Sequence, residues 1–284
     1  MLWRGRKESS NVEDRRGLST GGLVTGGGVV GIVIYLLTVF LGGDPSQLPP
    51  QLTQPQSQGR QLSESEQAAE DTMAQFVSVV LAETEDVWTD VFKQHFKEYS
   101  KPSLVLFRDR VESACGVAGA SSGPFYCPAD QKLYIDLSFY EELRNRFHAS
   151  GDFAMAYVIA HEVGHHVQYL LGTSDKMNRI RQQVDEKEYN KYSIRLELQA
   201  DYFAGVWAHY ADKKNHIIED GDIDEALTAA SAVGDDNIQK QTQGYIVPDA
   251  FTHGTSAQRQ EWFEKGYQYG DLEHGNTFEK ELVN

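Results

Sequence analysis

His161-Glu162-Val163-Gly164-His165 is the stretch whose residue types and spacing can do chemistry. On a helix, residues i and i+4 share a face, so His161 and His165 can offer imidazole nitrogens to one metal ion. Glu162 stands about 100° round the same helix, near enough to reach a water beside the ion without occupying the ion. A catalytic zinc takes three protein ligands, leaves one position for water and brings that water's pKa towards neutrality; a neighbouring carboxylate can then accept the proton. So short a pattern also arises by coincidence on solvated surfaces. Here Phe153, Ala156, Tyr157, Ala160, Gly164, Val167 and Leu171 run as a small, apolar stripe through the histidine positions. That puts the pair at a core boundary, where two unpartnered imidazoles would be costly.

A third ligand of the form His-x-x-Gly-x-x-His is excluded, because Gln168 and Leu171 stand where Gly and His would be required. Downstream, Glu197 and Asp201 lie four residues apart on a second helical segment and share a face. Glu197 can complete the coordination, and Asp201 can accept a hydrogen bond from the distal nitrogen of a ligand histidine, fixing its tautomer. The alternative is a solvated acidic face, but Leu196, Ala200, Phe203 and Trp207 flank the two carboxylates, and buried carboxylates need a strong partner. His166 is expected to be a hydrogen-bonded neighbour rather than a ligand.

The elements that position these groups follow from periodicity and punctuation. Residues 152–171 form the histidine helix, stopped by Gly172, and residues 177–212 a second long helix. Ser63-x-x-Glu66 has capping-box form and opens a helix with apolar residues from Ala69 to Leu81; residues 87–99 are expected as a separate helix. Residues 103–107 and 132–137 read as short strands, and residues 226–232 and 256–269 as shorter helices. Many helices with few strands give an α+β class. Val233-Gly234-Asp235-Asp236 is acidic but lacks further spaced oxygen ligands, which favours a helix end and turn over calcium.

The chain has 284 residues, with 42 Asp+Glu against 26 Lys+Arg and a formal charge of −16. Such a surface is a poor binder of phosphate backbones, so nucleic acid is excluded as a partner. Residues 23–41 are apolar and uncharged, long enough for a bilayer core, and preceded by Arg4, Arg6, Lys7, Arg15 and Arg16. The expectation is a basic cytoplasmic tail over 1–22, an uncleaved single-pass helix over 23–41, a flexible Pro/Gln-rich linker over 42–62 and a catalytic domain over 63–284 on the far side of the inner membrane. A cleaved signal peptide and a buried core helix are the rival readings. Gly27 and Gly31 form a small-xxx-small pair that could support a homodimer through the membrane helix. Outside the cytoplasm Cys115 and Cys127 would pair, worth about 3 kcal/mol for a loop of this length; two buried free thiols are the alternative.

The runs SACG, GPFYCPAD, YIDLSF, AHEVGHHVQ, LELQADYFAGVWA, VGDD and THGTSAQR resemble the YpfJ-type neutral zinc metallopeptidase family of bacterial, membrane-anchored proteins, over nearly the whole chain. The resemblance implies a gluzincin-like fold in which the active-site helix packs on the Glu-x-x-x-Asp helix beside a small sheet. It implies zinc held by His161, His165 and Glu197, with Glu162 as the base in hydrolysis of protein or peptide substrates in the periplasmic or extracellular space. In gluzincins an extended substrate pairs with the edge strand beside the zinc, and residues 134–137 are the candidate here; the bland alternative is a strand that binds nothing. His253 and Arg259 resemble the His-Pro-x-x-x-x-Arg stretch of membrane-linked gluzincins, with Gly254 in place of Pro, which would make His253 an oxyanion stabiliser. The alternative for His253 is a solvent-facing position at a helix N-cap. A zinc-stabilised, membrane-tethered binding or scaffold protein without turnover is the rival function, and would have no use for Glu162.

Overall fold

The histidine pair sits on a helix over Asp152–Leu170, followed by Gly172 in the left-handed region at φ 79°. The computed structural model describes residues 1–17, 63–95, 98–119 and 122–278. In chain order the elements are β1 (Val12–Asp14), α1 (Glu64–Gln94), β2 (Ser103–Phe107), β3 (Arg110–Ser113), β4 (Gly116–Gly119), β5 (Phe125–Cys127), β6 (Lys132–Asp136), α2 (Ser138–Asn145), α3 (Asp152–Leu170), α4 (Thr173–Arg181), α5 (Glu186–Lys213), α6 (Asp222–Ala232), α7 (Asp235–Gln243) and α8 (Ser256–Tyr269). This is the expected helix-rich α+β arrangement. A four-stranded sheet has the order β1-β2-β6-β5, parallel except for the β5–β6 pair, and β3 and β4 form a separate hairpin.

The core is continuous from the sheet to the helices. Phe76, Val80 and Trp88 of α1, Leu104 and Leu106 of β2, Phe153 and Tyr157 of α3 and Phe203 and Trp207 of α5 are all almost fully buried in one cluster. Two glycines let the helices close. At Gly164 an added Cβ would stand 2.8 Å from the Ala200 carbonyl, so α3 and α5 touch backbone to backbone beside the histidines. Gly266 does the same for α8 against Tyr202 of α5. The Cys115–Cys127 bridge is formed, with an S–S distance of 2.03 Å, and ties the β3–β4 turn to the end of β5.

Several boundaries differ from the sequence reading. Helix α1 does not break before Val87. The polar run ahead of Val87, Glu83 to Asp86, is the strip on which the N-terminal segment docks: Arg6 Nη1 donates to Glu83 at 2.9 Å, Ser9 Oγ and Asn11 Nδ2 to Glu85 at 2.6 and 2.7 Å, and Lys7 Nζ to Asp86 at 3.0 Å. The expected helix over 177–212 is two, because Asp185 caps a fresh start by accepting from the Glu188 amide at 2.8 Å. The candidate edge strand, β6, is interior; the edges are β1 and, next to β6, β5.

The larger correction concerns the N-terminus. Among the described residues no helix is long and apolar enough to cross a membrane. The expected span over 23–41, with the Gly27/Gly31 pair, and the linker over 42–62 lie outside the described residues. The segment before them overturns the topology. Met1–Arg15 belongs to one compact unit with Glu70–Asn284. β1 is hydrogen-bonded to β2 in register Val12↔Leu104 to Asp14↔Leu106. Met1 and Trp3 are buried in the core, Trp3 edge-on to Phe76 at 5.4 Å. The first fifteen residues therefore cannot be a cytoplasmic tail with the catalytic domain periplasmic or extracellular, because hydrogen-bonded strands cannot lie on opposite sides of a bilayer. Arg6, Lys7 and Arg15 make ion pairs within an acidic fold, and the single-pass inner-membrane placement is not supported.

If the N-terminal segment is part of the core, Trp3→Ala should destabilise the protein by about 3–5 kcal/mol, measured by urea unfolding. A change below about 1 kcal/mol would separate that segment from the fold.

Candidate metal centre

Two helices supply the convergence. His161 and His165 lie one turn apart on α3, and Glu197 faces them from α5. The Glu197 carboxylate places Oε2 3.2 Å from His161 Nε2 and Oε1 3.5 Å from His165 Nε2. One ligand atom from each residue lies within 4.8 Å of the other two. The pairing with His165 and His161 overcomes burial and holds the Glu197 carboxyl well below the usual carboxylate range.

Both imidazoles are turned by a partner at the other nitrogen. His161 Nδ1 donates to Asp201 Oδ1 at 2.8 Å, and His165 Nδ1 to Gln168 Oε1 at 2.9 Å. With Nδ1–H committed in each ring, loss of the other proton puts the lone pair on Nε2, which points to the shared focus, the tautomer a metal ligand requires. Two imidazole nitrogens and one carboxylate oxygen are the donor set of a catalytic zinc site with an open position, so the residues fit the ion.

Asp201 is completely buried, and its partners account for that. It accepts from Tyr157 Oη at 2.6 Å, from His161, and from Arg259 through Nε at 2.8 Å and Nη2 at 2.9 Å. Burial alone would raise its pKa; Arg259 and His161 outweigh burial and bring it down to about 2. Arg259 is itself buried and also donates to the Val233 carbonyl at 3.2 Å.

The site opens into a cleft of about 520 Å³, lined by Glu162 beside the three converging residues and by Phe125, Tyr126 and His253. No side chain among the described residues hydrogen-bonds the Glu162 carboxylate, which leaves it available to a water. His253 reaches the same cleft but makes no hydrogen bond to His161, His165 or Glu197. Its loop is held by Asp235, the first residue of α7: Oδ2 accepts from the Thr252, His253 and Gly254 amides at 2.7, 2.6 and 3.1 Å, and Oδ1 lies 3.2 Å from His253 Nδ1. Val233-Gly234-Asp235-Asp236 is thus a helix start whose carboxylates bind a loop. Thr255 caps α8 in a capping box with Gln258, so the N-cap lies two residues beyond His253. His166 accepts from Tyr126 Oη at 3.0 Å and donates to the Ser100 carbonyl at 2.6 Å, a neighbour and not a ligand.

Sequence reasoning missed Tyr157, Gln168 and Asp235, and grouped Arg259 with His253 rather than with Asp201. Tyr157 is four residues before His161 and Gln168 three after His165, so helical spacing already placed both beside a ligand. Asp235 and Arg259 reach the site only through tertiary packing, for which spacing carries no signal.

Residues 1–278 match the sequence profile of a family described as "Putative neutral zinc metallopeptidase". The chain belongs to that family. The uncharacterized protein YpfJ of Escherichia coli is 47% identical over 291 aligned residues, covering 99% of this chain and 100% of the relative. An uncharacterized protein of Mycobacterium tuberculosis is 41% identical over 253 residues, covering 86% and 84%. No solved structure matches the chain.

Arg259→Met would leave the Asp201 charge buried without its main partner. The metal-free protein should lose about 3–5 kcal/mol of stability, measured by urea unfolding; a loss below about 1 kcal/mol would mean that Asp201 is neutral or otherwise compensated.

Proposed function

We propose that the protein is a zinc-dependent peptidase in which His161, His165 and Glu197 hold the ion and Glu162 is the catalytic base. The observation that carries this reading is the convergence of two Nε2 atoms and one carboxylate in a cleft that also exposes an uncommitted carboxylate. A purely structural zinc site closes its coordination with protein and has no role for Glu162. When bound, zinc supplies a Lewis acid that polarises a water and a carbonyl.

The chain's own residues do the rest. Glu162 takes a proton from the attacking water as the new C–O bond forms, and returns it to the departing amine as the C–N bond breaks. Asp201 and Gln168 keep the two imidazoles in the ligating tautomer. His253, anchored at Nδ1 by Asp235, has Nε2 as its remaining nitrogen to face charge developing on the carbonyl oxygen. An extended substrate is best accommodated on β5: Phe125 and Tyr126 line the cleft, and main-chain pairing to an edge strand recognises a peptide with little demand on its sequence.

Glu162→Gln should keep one equivalent of zinc and lower kcat on unfolded casein by about 10²–10⁴-fold, whereas His161→Ala and Glu197→Ala should hold clearly less than one equivalent. Full turnover in the Glu162 variant would remove it as the base, and stoichiometric zinc in both ligand variants would remove the ligand set.

A further inference from the structure

Gln168 is almost fully buried, and its side chain joins the two ligand-bearing helices by a hydrogen bond to main chain beside the site. Its amide has two ends with different tasks. Oε1 accepts from His165 Nδ1 at 2.9 Å on α3. Nε2 donates to the Leu196 carbonyl at 2.6 Å on α5, the residue that precedes Glu197. The same nitrogen lies 3.3 Å from Gln199 Oε1, and Gln199 in turn donates to the Gly275 carbonyl at 2.8 Å. One side chain therefore fixes the ring plane of one ligand and the main-chain position next to another.

We propose that Gln168 is a positioning residue that sets the distance between His165 and Glu197, and so determines how tightly this protein holds its metal; the proposal rests on the ligand set given above. A neutral amide suits both ends: one oxygen to accept from an imidazole N–H and one N–H to donate to a carbonyl. A carboxylate could serve only the first end, and an apolar side chain neither. The two histidines are then unequal, His161 backed by a carboxylate that Arg259 neutralises and His165 by an uncharged amide. Every polar atom of Gln168 is committed, so its replacement acts on both ligands at once rather than on packing alone.

The test is zinc affinity of the full chain, measured by competition with a chromophoric chelator, on variants whose far-ultraviolet circular dichroism matches the parent. Gln168→Met, which keeps the length and removes both hydrogen bonds, should bind zinc about 10–100-fold more weakly. Gln168→Glu, which keeps the acceptor for His165 and loses the donor to Leu196, should recover part of that loss. If Gln168→Met does not fold, Gln168→Asn takes its place, because the shorter amide cannot span both ends and should show the same weakening. Affinity within twofold of the parent in the folded Met or Asn variant would overturn the proposal, as would a Glu variant no tighter than the Met variant. His165→Ala is the control that separates this from the underlying reading: retained stoichiometric zinc there would mean the ligand set is wrong, whatever Gln168 does.

Discussion

The structure depends on a carboxylate with no access to water. Asp201 is wholly buried on α5, and an isolated charge there would cost several kcal/mol. It is tolerated because α3 and α8 each bring donors to it: Tyr157 and His161 from one, Arg259 from the other. These contacts decide the orientation of the His161 ring. Once Asp201 holds His161 Nδ1–H, only Nε2 can face Glu197.

The approach of the three helices makes this geometry possible. Gly164, inside the histidine motif, has no side chain because the Ala200 carbonyl occupies that space. Gly266 allows α8 to lie against α5 in the same way, which carries Arg259 to Asp201. A side chain at either position would run into the backbone of α5, so the helices would have to move apart.

The convergence of His161, His165 and Glu197, with Asp201 behind His161, was legible in the sequence because all four obey helical spacing. The long helices α3 and α8 were legible for the same reason, with Gly172 and the Thr255 cap as punctuation. The short strands β1, β3, β4 and β5 were not, since three or four residues are too few to establish a period. The N-terminus misled for a physical reason. Arg4, Arg6, Lys7 and Arg15 ahead of an apolar run satisfy the charge rule for membrane proteins, yet in this chain of net charge −16 Arg6 pairs with Glu83, Lys7 with Asp86 and Arg15 with Glu13. Composition cannot separate these uses; only the pairing of β1 with β2 does.

The most direct measurement is X-ray absorption at the zinc edge of the metal-loaded protein, compared with a Glu197→Ala variant. Two imidazole nitrogens, one carboxylate oxygen and one solvent oxygen in the parent, with the carboxylate contribution lost in the variant, is the expected result. A shell closed by four protein ligands, or one unchanged on removing Glu197, would contradict the account.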